Sequence, residues 1–276
     1  MKHYKISVLV ENRASQTFLG EHGLSFIIKS DNANILFDTG QGKVIEHNLK
    51  VMNFSPERIN SMVLSHGHYD HTGGIEYLSK HLSPEIKVYL HPSALEEKYS
   101  KISTGYKFLG ISEKNRDYLK SLGENLILTS EPTEIADGIW CTGEIPRTNP
   151  IENRSTKFYL DKSTKIPDTM LDDQALFFHT EKGVVVLLGC CHAGFANTLD
   201  YIAKIADAKT IYAVIGGTHL RNANSAQLDF TAATLAKYNV KLFAPCHCSG
   251  QKSSAYLYAE NREVFQECHA GASFLF

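Results

Sequence analysis

The stretch SHGHYDHTGG, Ser65 to Gly74, sets three histidines and an aspartate within six consecutive positions, after the apolar run INSMVL and before a glycine pair. In extended backbone, side chains two residues apart point the same way. His66 and His68 can therefore grip one ion from one side, while Asp70 and His71, at a turn, diverge toward a second. Imidazole with carboxylate suits zinc, iron or manganese better than soft thiolate chemistry does. The plainer reading, a solvated histidine-rich loop, fits poorly with a cluster that ends a buried-looking strand and opens a helix.

Four donors do not complete two metal sites. The second half of the chain offers three more histidines, each after an apolar run closed by glycine or proline: His192 in VVVLLGCCHAG, His219 in IYAVIGGTHL and His247 in LFAPCHCSG. His22 in GEHGLS is a further residue that could reach a cleft. His91, after KVYL and before Pro92, reads as structural. Asp172 and Asp173 in MLDDQAL read as caps or braces.

The elements that must position these groups follow from periodicity and turn chemistry. YKISVLV, LSFIIK and NILFD read as strands, the last two joined by the turn SDNAN. TGQGKVIEHNLKVM reads as a helix, and NSMVL as a strand feeding the ligand-rich loop and a following helix. EIKVYLHP reads as a strand and SALEEKYS as the start of a helix. DYLKSLG is a short helix, and NLILTS and GIWCTG are strands. Later, QALFFHTEKGVVVLLG gives two strands joined by TEKG. Helices over AGFANTLDYIAKIAD, SAQLDFTAATLAKYN and QKSSAYLYAENREVFQ then alternate with strands TIYAVIGG, VKLFAPCHCSG and ASFLF. Each half thus runs hairpin first, then strand–helix units. That predicts an α/β fold of two mixed sheets packed face to face with helices outside, an αββα sandwich. It forms a single domain over 1–276, with a lid or insertion at about 101–170, where no period is sustained.

Composition bounds the partners. A chain of 276 residues, 43% hydrophobic, buries a sizeable core without staples, so a metal would be functional rather than structural. With a net charge of -2 and no Lys/Arg run, nothing resembles a nucleic-acid arm, so a nuclease is the weakest reading. No apolar stretch approaches a membrane span, and MKHYKISVLVENRAS lacks a signal-peptide core and cleavage site. The expectation is a cytoplasmic protein with a small-molecule substrate, no nucleic-acid partner, no membrane and an oligomeric state the sequence leaves open. Six cysteines in a chain of this length suit site chemistry in a reducing compartment better than a disulfide framework.

The loop matches the H-x-H-x-D-H signature of the metallo-β-lactamase superfamily, and ILFDTG matches its first motif. The chain resembles that superfamily over essentially its whole length. LFDTGQG, SHGHYDHTGG, GEIPR, LLGCCHAG, IGGTHL and PCHCSG together resemble a narrower branch, whose members carry the name dihydropterin-6-yl-methyl-4-(ribofuranosyl)aminobenzene 5′-phosphate synthase, from methanopterin biosynthesis. The resemblance implies that Asp38 braces the metal loop and that His247 is the last histidine ligand. It implies two divalent ions, zinc before iron or manganese, that activate water and polarise a substrate oxygen. The metal ligands would be His66, His68, Asp70, His71, His192 and His247. Asp70 would also orient the nucleophile. His219 is either substrate-facing and catalytic, a further ligand or support, or simply a hydrogen-bonded strand-end histidine. Arg147 in TGEIPR and Arg221 in THLRN are candidate clamps for a substrate phosphate, against a reading as ordinary surface arginines.

The chain departs from the family in one place. Where many members end a strand with Gly-Asp, the aspartate bridging two metals, this chain has Gly189-Cys190-Cys191-His192. Either His192 supplies the ligand or Cys190 does so as a thiolate; His192 is preferred, since a buried vicinal cysteine is more often a small packed hydrophobe. The branch name implies C–N bond formation with loss of diphosphate, and many relatives are called metal-dependent hydrolases. The leading expectation is a metal-dependent hydrolase or transferase acting on a small phosphorylated or ester-like metabolite. The alternatives are a mononuclear-iron oxidoreductase on the same fold and a non-catalytic metal-dependent binding or redox-sensing protein.

Overall fold

A computed structural model describes residues 2–152 and 157–276. The first half contains β1 (Lys5–Val10), β2 (Ser25–Lys29), β3 (Asn34–Phe37), α1 (Ile45–Val51), β4 (Ser61–Val63), α2 (Tyr69–Thr72), α3 (Ile75–Leu78) and β5 (Lys87–Leu90). β6 (Tyr99–Ile102), β7 (Gly105–Phe108), α4 (Glu113–Ser121), β8 (Leu126–Leu128), β9 (Thr133–Ala136), β10 (Ile139–Cys141) and β11 (Phe158–Tyr159) follow. The chain then runs β12 (Ala175–Thr180), β13 (Gly183–Leu188), α5 (Phe195–Ile205), β14 (Ile211–Gly217), α6 (Ser225–Lys237), β15 (Leu242–Cys246), α7 (Gln251–Glu260) and β16 (Ser273–Leu275).

One sheet has the order β16-β1-β2-β3-β4-β5-β8 and the other β15-β14-β13-β12-β10-β9. Each is mixed. β3, β4, β5 and β8 run parallel in the first, as do β13, β14 and β15 in the second. The strand sequences explain the layering. Along β13, Val185 and Leu187 face the other sheet and pack with Phe26, Phe37 and Phe178. Val184, Val186 and Leu188 face outward onto Phe195, Leu199 and Leu235 of α5 and α6. The outer face of the first sheet, through Ile27, Leu36 and Met62, is covered by Ile45, Leu49, Ile75 and Leu119 of α1, α3 and α4. Both strand faces are buried, so VVVLL has no polar alternation. The layers are helix, sheet, sheet, helix, as the sequence predicts.

Local differences from the sequence reading have physical causes. The ligand-rich loop is partly helical: Asp70 and His71 lie on α2, which ends at Gly73, and α3 starts after Gly74. A Cβ on Gly74 would sit 2.2 Å from the Thr39 carbonyl oxygen, so only glycine lets the chain pass there. SALEEKYS does not open a helix. A 3-10 turn spans Pro92–Leu95, and β6 begins at Tyr99. Lys98 is drawn inward instead, its Nζ 2.8 Å from Asp168 and 3.0 Å from Asp172, with no exposure of its side chain. Tyr99 packs edge-on against Tyr106 and Phe108 of β7. The aperiodic segment accordingly supplies a small third sheet, β11-β6-β7. Of the span 101–170, residues 153–156 lie outside the described residues.

Lys98 pairs with two buried carboxylates, Asp168 and Asp172, and so ties the segment that opens the third sheet to the main fold. Removing one member of a buried ion cluster leaves uncompensated charge and costs about 3–5 kcal/mol. Lys98→Ala is expected to lower the urea-unfolding free energy by that amount; a loss under about 1 kcal/mol, the range of exposed pairs, would show that the cluster does not hold the third sheet in place.

Candidate metal centre

Most candidate ligands follow the carboxyl end of a parallel strand: His66 to His71 after β4, Cys190 and His192 after β13, His219 after β14 and His247 after β15, with the supporting Asp38 after β3; His22, between β1 and β2, is the exception. Open α/β sheets place ligands at this edge, and here two sheets bring their carboxyl edges together. The chain turns sharply to do so. Asp38, Cys191, His219 and His247 have φ of 60°, 59°, 51° and 52°. Non-glycine residues in this region store backbone strain and concentrate at functional sites.

The donor atoms converge in two groups. His66, His68 and His192 place one ligand atom each within 4.8 Å of one another, and His66 Nε2 lies 3.0 Å from His68 Nδ1. On the other side His71 Nε2 is 3.1 Å from His247 Nε2, and Asp70 Oδ2 is 3.5 Å from His247 Nε2. His22 Nε2 reaches Asp70 Oδ2 at 3.1 Å, so this residue does enter the cleft and groups with Asp70 and His247. His219 groups with Cys190 and His192, its ring 4.3 Å from that of His192. Cys190 Sγ lies 3.3 Å from His71 Nε2.

These side chains are held by a layer of hydrogen bonds. Asp38, fully buried, accepts from the Ser65 backbone N–H at 2.7 Å, the Ser65 hydroxyl at 2.7 Å and His71 Nδ1–H at 2.6 Å. The carboxylate fixes the Nδ1–H tautomer and turns Nε2 into the cleft, the role of outer-shell carboxylates in metal sites. Ser65 Oγ also contacts His66 Nδ1 at 2.9 Å, leaving His66 Nε2 for the site. Asn12 Oδ1 meets His247 Nδ1 at 3.1 Å, and Glu11 accepts from the His247 N–H. Asp172 accepts from Gly67 N–H and Lys98, and Asp173 from Ala193 N–H, so both aspartates brace ligand-bearing turns. β13 approaches this layer because Gly189 has no side chain; its Cβ would fall 2.2 Å from Ser65 Oγ.

Burial and charge act oppositely on the histidines. Burial pushes His68 down to about 3 and His247 to about 4, and lowers His66 and His192 well below the usual imidazole range. These rings are neutral at pH 7, the state that ligates metal. Burial also works against charge on His71, but the Asp38 carboxylate outweighs it and raises His71 to about 9. A positive charge at Nε2, proton or metal ion, is what that carboxylate favours. Asp70 is lowered despite burial, through its hydrogen bond with His22 and the nearby His71. His68 Nε2 and His192 Nε2 are buried and have no hydrogen-bond partner among the described residues. Buried polar atoms without partners are rare unless a ligand completes them. Neutral imidazoles crowded nitrogen to nitrogen, with one carboxylate, suit divalent transition-metal ions well.

The centre opens on a cleft of about 810 Å³. Lys107, Lys157, Arg147 and Arg221 line it, with Tyr69 and Phe158 as aromatic walls. The Phe158 ring lies 4.8 Å from that of His68 and 5.4 Å from that of His192. Arg147 is largely committed to structure: Nη1 donates to the His192 carbonyl and Nη2 to that of Met170, both at 2.9 Å. Arg221 lines the cleft through an exposed side chain. His91 stands outside the ligand groups, and its Nδ1 accepts from Ser93 N–H. Sequence reasoning missed Lys107, Lys157, Tyr69 and Phe158 because three of them belong to the aperiodic segment. It also missed Ser65, whose position beside the motif was the available signal.

Comparisons with known proteins bear on the family and the fold. The Metallo-beta-lactamase superfamily model matches residues 20–137. The chain is 32% identical over 97% of its length, and 95% of the relative's, to the 7,8-dihydropterin-6-methyl-4-(beta-D-ribofuranosyl)-aminobenzene-5′-phosphate synthase of Methanocaldococcus jannaschii. It is 31% identical to an uncharacterised protein of the same organism, over 94% of this chain and 96% of that one. Among solved structures it is similar to Tm1679, described as a metal-dependent hydrolase of the beta-lactamase superfamily, with a TM-score of 0.80, 27% identity and 98% of each chain covered.

Asp38→Asn tests the bracing layer. Asparagine fits the left-handed backbone but cannot supply the charge, so metal affinity is expected to fall 10- to 100-fold in chelator competition, with the fold intact. Unchanged affinity would remove Asp38 from the support of the centre.

Proposed function

This chain belongs to the metallo-beta-lactamase superfamily of metal-dependent enzymes, and from that premise we propose that it works with two divalent ions, zinc first, on a small phosphorylated substrate. The observation that carries this reading is the joining of two ligand groups to one cleft rimmed by Lys107, Lys157 and Arg221. Similarity to the M. jannaschii synthase over nearly the full length makes a pterin-type transfer the specific form of the proposal. In that reaction the aminobenzene nitrogen takes the methylene carbon of a dihydropterin-6-methyl diphosphate. Diphosphate leaves with the bonding pair, and the nitrogen loses its proton.

Divalent ions bound at the centre would supply Lewis-acid polarisation and positive charge for the departing diphosphate. The chain's own groups divide the remaining work. Lys107 and Lys157, from the third-sheet segment, and Arg221, after β14, give charge-assisted contacts to phosphate oxygens. Tyr69 and Phe158 offer flat faces for a heteroaromatic ring and narrow the access of water. His22 Nε2 contacts Asp70 Oδ2 at the mouth of the cleft, which keeps Asp70 oriented toward His247. The arginine and lysines bind substrate alike in ground and transition states, so their loss should appear mainly in KM.

The experiment supplies a dihydropterin-6-methyl diphosphate and ribofuranosylaminobenzene 5′-phosphate to the metal-loaded protein, following coupled product and released diphosphate together. Coupled product supports the transferase form; diphosphate without it means hydrolysis; neither, with a range of phosphoesters also untouched, overturns the proposal. Metal analysis should give about two zinc ions per chain, whereas a single iron would favour the oxidoreductase alternative. His66→Ala and His247→Ala should each abolish turnover while far-UV circular dichroism stays native. Arg221→Ala should raise KM about tenfold, for a lost charge-assisted bond of about 1.5 kcal/mol, with little change in kcat.

A further inference from the structure

One donor atom borders both ligand groups. Cys190 Sγ is that atom. It lies within 4.8 Å of ligand atoms of His66 and His71 together, of His192 and His219 together, and of His247 and Cys248 together. It therefore borders both the group built on His66 and His192 and the group built on His71 and His247. No other donor among the described residues belongs to three such groupings. We propose that Cys190, as a thiolate, is the shared ligand that links the two metal positions, in the place where many relatives carry a carboxylate. The proposal rests on the reading of the centre as binuclear.

The placement follows from the backbone. Cys190 comes two residues after β13 ends, immediately after Gly189, whose bare backbone lets β13 approach Ser65 and Asp38. The left-handed turn at Cys191 then carries the chain away, so that His192 approaches the centre from another direction. Cys190 is buried, with its sulfur against His71 Nε2. The nearby Cys248 is differently engaged: its sulfur accepts from the His219 N–H at 3.3 Å and donates to the Cys190 carbonyl at 3.4 Å. It also hydrogen-bonds the side chains of Cys190 and His219, but it belongs to one ligand grouping where Cys190 belongs to three.

The chemistry suits the position. A thiolate is a good ligand for zinc and cobalt, and its several lone pairs allow it to bind two ions at once. Coordination replaces the S–H bond with metal–sulfur bonds and releases the proton to solvent, with no change in oxidation state. Cys190 and His192 need not compete for one role. His192 completes the group of His66 and His68, and Cys190 stands between that group and the other.

Anaerobic titration of the metal-stripped protein with cobalt(II), followed by absorbance, separates this proposal from the reading beneath it. Visible d–d bands report cobalt bound by any ligands, and a near-ultraviolet sulfur-to-cobalt charge-transfer band reports a thiolate. The expectation is a charge-transfer band that grows through both cobalt equivalents. Cys190→Ser should abolish that band, keep visible d–d absorption and weaken the second equivalent at least about tenfold, the scale of a lost site interaction. Cys190→Asp should restore two equivalents without charge transfer, and Cys248→Ser should leave the band in place. A band that stops growing after one equivalent, survives Cys190→Ser or vanishes in Cys248→Ser overturns the shared-thiolate assignment while the metal centre stands. Absence of d–d bands overturns the metal-centre reading itself, and this proposal with it.

Discussion

The buried Asp38 carboxylate is the constraint on which the site depends. An ionised carboxylate taken wholly out of water is costly unless hydrogen bonds and opposite charge surround it. Here the Ser65 N–H, the Ser65 hydroxyl and His71 Nδ1–H all point at it. Those three bonds fix the start of the histidine loop, the orientation of its last imidazole and, through Ser65, the ring of His66. The same crowding forbids a side chain at Gly189 and so determines how closely β13 of the opposite sheet can come. One charge thus sets the register between the sheets at the point where their ligands meet.

That arrangement explains the strained backbone at the ends of the strands. A ligand centre shared by two sheets needs side chains from β3, β4, β13, β14 and β15 to turn inward within a few residues. Ordinary extended exit from a strand would carry them past the cleft. Left-handed residues at Asp38, Cys191, His219 and His247 reverse the chain at once, and their cost is offset by the buried hydrogen bonds around them. The core is rigid enough to hold such turns, because every strand that feeds the centre is packed on both faces.

Much of this was legible in the sequence where the signal is local. VVVLL reads as a doubly buried strand from its own composition, and it is one. The donor types and spacing in SHGHYDHTGG are a local signal of a metal loop, although Asp38 is needed to hold that loop in place. The segment after His91 was not legible, because its structure is set by partners far along the chain. Lys98 turns inward for Asp168 and Asp172, some seventy residues away, and no helical period in SALEEKYS reveals that pull. Arg147 illustrates the same limit for function: its type suggests an anion clamp, yet two of its nitrogens hold carbonyl oxygens. The lysines of the cleft rim have no motif at all, since a phosphate contact needs only a charge delivered to the right place.

The charge of the centre finally connects its ligands with its cleft. Imidazoles bind metal without neutralising it, and among the two main ligand groups Asp70 is the lone carboxylate. Two dications so held would leave a large positive surplus among ligands that are mostly buried, where such charge is weakly screened. Lys107, Lys157 and Arg221 add to that surplus at the rim. A neutral ester meets such a field only as its oxyanion develops, whereas a diphosphate brings several negative charges and leaves with them. A thiolate at Cys190 would lower the surplus by one charge, as the more usual carboxylate does, but with a softer and more polarisable donor. The histidine-rich ligand set and the basic rim therefore act in the same direction, one positive field running from the centre to the mouth of the cleft.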